Sequence, residues 1–110
     1  MTTPESMVVL EKLRAACNVF QTEICPIVGC SHVTYKHLVA GSTNLEDWDQ
    51  GIERARWVLW TGLSQRVLPI MDVERKKKAL HLLLEAYYSA DKPIRVAHFL
   101  KEAAALSTIY

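Results

Sequence analysis

The chain has 110 residues, half of them apolar, with 13 Lys and Arg against 12 Asp and Glu and a formal net charge of +1. That is one domain's length, with enough apolar residues to build a core without disulfides. No run of about 18 apolar residues occurs, so no membrane-spanning helix is expected, and the near-zero charge lacks the basic footprint of a large phosphate-binding surface.

Read in chain order, the sequence gives helix after helix. Thr3 followed by Pro4 is a start signal, a cap with proline at the first helical position. Val9, Leu13, Cys17 and Phe20 follow at spacings of four, four and three, which predicts an amphipathic first helix. The stretch from Gln21 to Leu38 reads as a short helix, a glycine turn and a second helix, Ser31 to Ala40. Ile24 and Val28 share a face of the former, and Tyr35 and Leu38 a face of the latter. Cys25 is small enough to let the two backbones approach. Gly29 suits a left-handed helix end, Cys30 plugs the turn, and Ser31 is a good N-cap. Pro26 removes a backbone donor, so the helix that holds it is expected to start late, near Cys25.

Asn44 with Asp47 three residues on predicts the cap of a fourth helix, running to about Val67 and stopped by Pro69. Trp48, Ile52, Ala55, Leu59 and Leu63 make its apolar stripe. Trp57, Trp60 and Val67 widen that stripe beyond what one neighbour covers, which points to burial on several sides or against a second subunit. Asp72 opens a fifth helix carrying Leu80, Leu83, Leu84 and Tyr87. Asp91 with Pro93 opens a sixth through Ile94, Ala97, Leu100 and Ala104. No segment alternates with period two, so no sheet is expected. The chain reads as a single domain, residues 1–110, of about six helices.

The Gln21 to Leu38 stretch carries a recognisable pattern: Gln at its first place, a small residue (Cys25) at its fifth, Gly29 at its ninth. Ile24, Val28, Cys30, Tyr35 and Leu38 fill its apolar places. This resembles the helix-turn-helix motif of the lambda-repressor and Cro-like regulators, and Gly41-Ser42-Thr43-Asn44 resembles the turn that follows their recognition helix. The resemblance spans about residues 4–60. It implies a DNA-binding head of five helices to about residue 70, with residues 71–110 as a helical extension suited to dimerisation. It also implies a small phage, plasmid or bacterial repressor that binds double-stranded DNA. Ser31, His32, Val33, Lys36 and His37 would face bases or nearby phosphates, and Gln21 and Thr22 would contact the backbone at a helix N-terminus. Trp57 and Trp60 would lie at a homodimer seam. The competing reading is a small helical protein-interaction module, such as a phage-encoded inhibitor or adaptor, with a partner bound through its C-terminal half.

Other constellations point to blander roles. Cys25, Cys30, His32 and His37 lack zinc-finger spacing, and the cysteines are expected inside with the histidines outside, so no metal or other cofactor is expected. Cys17 with His81 or His98 has no local nucleophile signature. Glu46, Asp47 and Asp49 fit the first turn of a helix, where its dipole favours them. No phosphate-cradling glycine loop occurs, and no enzyme is expected. Arg75-Lys76-Lys77-Lys78 reads first as a solvated helix face and, if folded near the motif, as a source of phosphate contacts. Tyr87, Tyr88, Phe99 and Tyr110 read as core aromatics. Three cysteines without framework spacing and an N-terminus unlike a signal peptide predict reduced thiols in the cytoplasm.

Overall fold

The computed structural model describes residues 2–107, and Tyr110 lies outside them. Among the described residues there are six α-helices and no strand: α1 (Glu5–Ala16), α2 (Gln21–Val28), α3 (His32–Ala40), α4 (Asp49–Ser64), α5 (Val73–Tyr88) and α6 (Pro93–Ser107). Single 3-10 turns, Glu46–Trp48 and Leu68–Ile70, precede α4 and α5. The chain divides into two compact units, Met1–Arg56 and Trp57–Tyr110. No helix is long and apolar enough to cross a membrane.

In the first unit, α1 starts at Glu5 behind Pro4 and buries Met7 and Leu10. It stops at Ala16 because Asn18 turns left-handed, at φ 55°, a conformation that Asn tolerates better than most residues. Cys17 is buried as expected, but Phe20 lies beyond the helix end and is exposed, not part of the core stripe. α2 begins at Gln21, earlier than the proline suggested. Pro26 is on its exposed side. The carbonyl left without a helical donor belongs to Thr22, also exposed, where water can replace the bond. Glu23 Oε1 accepts from the Phe20 backbone N–H at 3.0 Å and closes the helix start.

The approach to α4 is not the expected capping box. Asn44 Oδ1 accepts from the N–H of Glu46, and the chain becomes α-helical only at Asp49. Gly51 of α4 is buried, and a Cβ there would sit 2.0 Å from the carbonyl oxygen of Val28. The two backbones therefore touch directly. Arg54, one turn on, donates to the carbonyl oxygens of Ile27 at 2.7 Å and Val28 at 3.3 Å. It satisfies the C-terminal carbonyls of α2 that no helical donor reaches.

In the second unit, α4 ends at Ser64, short of the predicted Val67. Arg66 is left-handed at φ 57°, and the Val67 N–H returns to the Gly62 carbonyl. Val58 and Leu59 are buried, and Trp57 packs its ring edge on Tyr87, with centroids 5.5 Å apart. α5 is capped by Asp72, which accepts from the Arg75 N–H at 2.9 Å. It buries Lys76, Ala79, Leu80, Leu83 and Ala86. α6 folds back on α5, and Arg75 Nη1 reaches the Leu106 carbonyl near the far end of α6. The packed side of α6 is Val96, Phe99, Leu100 and Ala103. Ile94, expected inside, is 87% exposed, and Ala97 is exposed too. α6 is apolar on more than one side, so periodicity alone does not choose its buried face.

Candidate nucleic-acid interface

α2 and α3 are joined by Gly29, Cys30 and Ser31. Gly29 takes φ 91°, which only glycine adopts at no steric cost, and the N–H groups of Gly29 and Cys30 both return to the Cys25 carbonyl. Ser31 caps α3: its Oγ accepts from the Thr34 N–H at 3.1 Å and donates to Thr34 Oγ1 at 3.0 Å. A cap of this kind is worth about 1 kcal/mol. Ile24, Cys25, Ile27 and Val28 of α2 and Tyr35 and Leu38 of α3 are all buried.

A polar network anchors the pair to α1. Tyr35, wholly buried, donates its hydroxyl to Glu11 Oε1 at 2.8 Å. Gln21 Nε2 donates to the same oxygen at 3.2 Å. Arg14 pairs with Glu11 through Nε and Nη2 and donates from Nη1 to the Val19 carbonyl. Burial works to raise the Glu11 pKa, but hydrogen bonds from Arg14 and Tyr35, the Arg14 charge and the Gln21 amide outweigh it and hold the carboxyl below its ordinary value. Burial and the bond to Glu11 push the Tyr35 phenol up, so it stays a donor. An ionised Glu11 only accepts, so the Gln21 amide nitrogen must face it and the amide oxygen must face away. That oxygen meets His32 Nε2 at 3.0 Å, which places a proton on Nε2. The first residues of α2 and α3 are thereby tied together.

The seven candidate contact residues fall into two groups. Gln21, Ser31, His32 and His37 already use polar atoms inside the unit, with His37 Nδ1 3.1 Å from Ser42 Oγ. They position the helices and leave only their remaining atoms for a ligand. Thr22, Val33 and Lys36 carry no such side-chain bond among the described residues and are exposed, Val33 at 66%, as are Ser31 and His37. Lys36 makes no hydrogen bond or ion pair among the described residues. Glu11, Arg14 and Arg54 were not among the expected site residues. The i,i+3 spacing of Glu11 and Arg14 suggests only a helix-surface ion pair, and nothing local marks Arg54, whose carbonyl partner lies 27 residues away.

Cys25 and Cys30 lie near each other inside this unit. Burial, with a smaller effect of Cys30, pushes the Cys25 thiol up to about 11, and burial raises Cys30 as well. Both stay protonated at neutral pH and act as packing residues. Among the described residues no three His, Cys, Asp or Glu side chains gather to hold a metal ion. Trp57 is half-buried against Tyr87, while Trp60 is 60% exposed.

Chemically, the outward face of α3 offers a branched apolar side chain, one unengaged cation and an imidazole along one helix. The first unit as a whole is acidic, with five Lys and Arg against seven Asp and Glu. No protein-family model, curated protein or solved structure matches the chain.

Proposed function

We propose that the chain is a sequence-specific, DNA-binding transcriptional regulator of the Cro-like type, acting as a homodimer. The observation that carries this reading is the sorting of side chains across α3. Tyr35 and Leu38 are wholly inside, whereas Val33, Lys36 and His37 are outside. A helix held this way by its neighbours can enter a major groove, which admits one α-helix. There Lys36 would meet a guanine edge or a phosphate, Val33 a thymine methyl, and His37 a single hydrogen-bonding group. The Gln21–His32 bridge and the Ser31 cap would set the angle of α3 on the duplex.

Selection of genomic fragments bound by the purified protein tests the reading, with a palindromic site as the expected result. Lys36→Ala should cost on the order of 1–3 kcal/mol of specific binding with an unchanged circular dichroism spectrum. Val33→Glu should do worse, since it sets a negative charge against DNA. No preference for any fragment over random competitor at low salt would sink the regulator reading.

The second reading, a helical protein-interaction module, is favoured by one observation. The first unit is net acidic yet exposes Phe20 and Val33. Under that reading Val33→Glu abolishes capture of a protein partner, and the protein retains no duplex.

A further inference from the structure

Building on the DNA-binding reading, we propose that the α5–α6 hairpin is the chain's phosphate-binding surface, with Lys77, Lys78 and His81 holding the DNA backbone. Most of the salt-dependent affinity would then come from the hairpin.

The argument starts from how charge is divided. The first unit holds two more acids than bases, while the second holds eight Lys and Arg against five Asp and Glu, a net +3. The cations of the first unit are also partly committed. Arg14 is bound to Glu11 and the Val19 carbonyl, and Arg54 to the Ile27 and Val28 carbonyls. Lys12, Lys36 and Arg56 remain exposed, among exposed Glu5, Glu46, Asp47, Asp49 and Glu53. A polyanion meets little net attraction there, and affinity for duplex DNA is dominated by phosphate neutralisation.

The hairpin offers what that face lacks. Of the basic run on α5, Arg75 is turned to Asp72 and the Leu106 carbonyl, and Lys76 is buried at 4% exposure. Lys77 and Lys78 are exposed, and so is His81 one turn on. The apolar parts of these three side chains, with Leu82 of α5 and Leu106 of α6, line one open groove of about 430 Å³ whose surface is almost wholly apolar. The nearest acids on α5 are Glu74, whose carboxylate is 3.9 Å from Lys77 Nζ, and Glu85 beyond His81. The Lys77–Glu74 pair is solvent-exposed on both sides and weakly held, so Lys77 is released to a stronger anion. On α6, Arg95, His98 and Lys101 are exposed with Glu102 as the one exposed acid of that helix. A sugar–phosphate backbone combines an anion with an apolar deoxyribose. The apolar groove suits the deoxyribose, and the exposed ammonium groups of Lys77 and Lys78 suit the phosphate, a combination a free ion does not use.

The test uses the full chain and a fluorescent duplex of roughly 20 base pairs, followed by anisotropy from about 50 to 300 mM salt. The variants are Lys77→Gln/Lys78→Gln, the charge-keeping Lys77→Arg/Lys78→Arg, and Lys36→Ala. The double glutamine variant should flatten the slope of log affinity against log salt by about 2, and weaken binding on the order of 50-fold at 0.1 M salt, for random and selected duplexes alike. The double arginine variant should restore both. Lys36→Ala should instead reduce the preference for the selected duplex while changing the slope by no more than about 1. If the wild type binds with a clear salt slope that the double glutamine variant keeps, the phosphate surface is elsewhere and the inference fails alone. If the wild type binds no duplex at the lowest salt, the inference and the regulator reading fail together.

Discussion

Glu11 concentrates more of the fold of the first unit than any motif residue. One carboxylate receives the Tyr35 hydroxyl from α3, the Gln21 amide from α2 and the Arg14 guanidinium from its own helix. Its pKa lies below the ordinary 4.5. A carboxyl depressed on folding contributes stability that is fully present above its unfolded value and is lost as pH falls through its folded value. Glu11→Gln keeps an acceptor but no charge. The wild type should therefore be more stable than Glu11→Gln near neutral pH, and the gap should close as pH drops below about 4.5. Urea midpoints of both proteins at neutral and acid pH measure this, and a gap that does not change with pH would show that the charge is immaterial. Gln21 and His32, expected to touch DNA, are the next links of the same network. Their motif positions were visible in sequence. Their internal partners were not, because a hydrogen bond between residues 10 or 11 apart leaves no local pattern.

At the scale of elements, two glycines separate what local sequence shows from what packing demands. Gly29 ends α2 at φ 91°, and a Cβ there would meet only Arg54 Nη2 at an ordinary 3.5 Å. Alanine at that site pays backbone strain alone, roughly 1–2 kcal/mol. Gly51 has helical backbone, but a Cβ would lie 2.0 Å from a carbonyl oxygen of α2. Gly51→Ala must therefore push α4 away from α2 and weaken the bonds from Arg54, so it should be the worse of the two. The expected loss is about 3 kcal/mol, at the upper end for overpacking. Denaturant titration of the two variants decides the order, and a milder effect at Gly51 would mean that the contact gives way. Gly29 could be assigned from its neighbours, since it follows an apolar helical face and precedes a serine cap. Gly51 inside a helix reads only as a tolerated residue.

For the whole molecule, the net positive charge and most of the large exposed apolar side chains fall on the same half. The second unit carries the net positive charge and also Trp60, Tyr88 and Ile94, three large side chains left in water. Trp57 already has a partner in Tyr87, so Trp60 is the tryptophan that a second subunit would cover. Sedimentation should give a dimer at tens of micromolar, roughly what a weak interface sustains. Trp60→Glu should give a monomer with an unchanged melting curve, whereas Trp57→Glu should destabilise the fold itself. A wild-type monomer under these conditions would remove the homodimer from the proposed function.

The all-helical class, the six helices and the α2–turn–α3 pairing follow from the sequence itself. Spacings of three and four, the caps at Ser31 and Asp72, the proline at Pro93 and the glycine at Gly29 act within a turn or two of chain and need no distant partner. What only the tertiary structure decided depends on residues far apart. The buried side of α6 was chosen by its packing on α5, not by Ile94 and Ala97. The end of α4 was set by left-handed Arg66, which ordinary propensity does not mark. The engagement of Gln21, and through it of His32, arose from Glu11, ten residues before Gln21. Local sequence writes the period and punctuation of helices. Which face is covered, and which polar atom is already spent, is settled only when another helix arrives beside it.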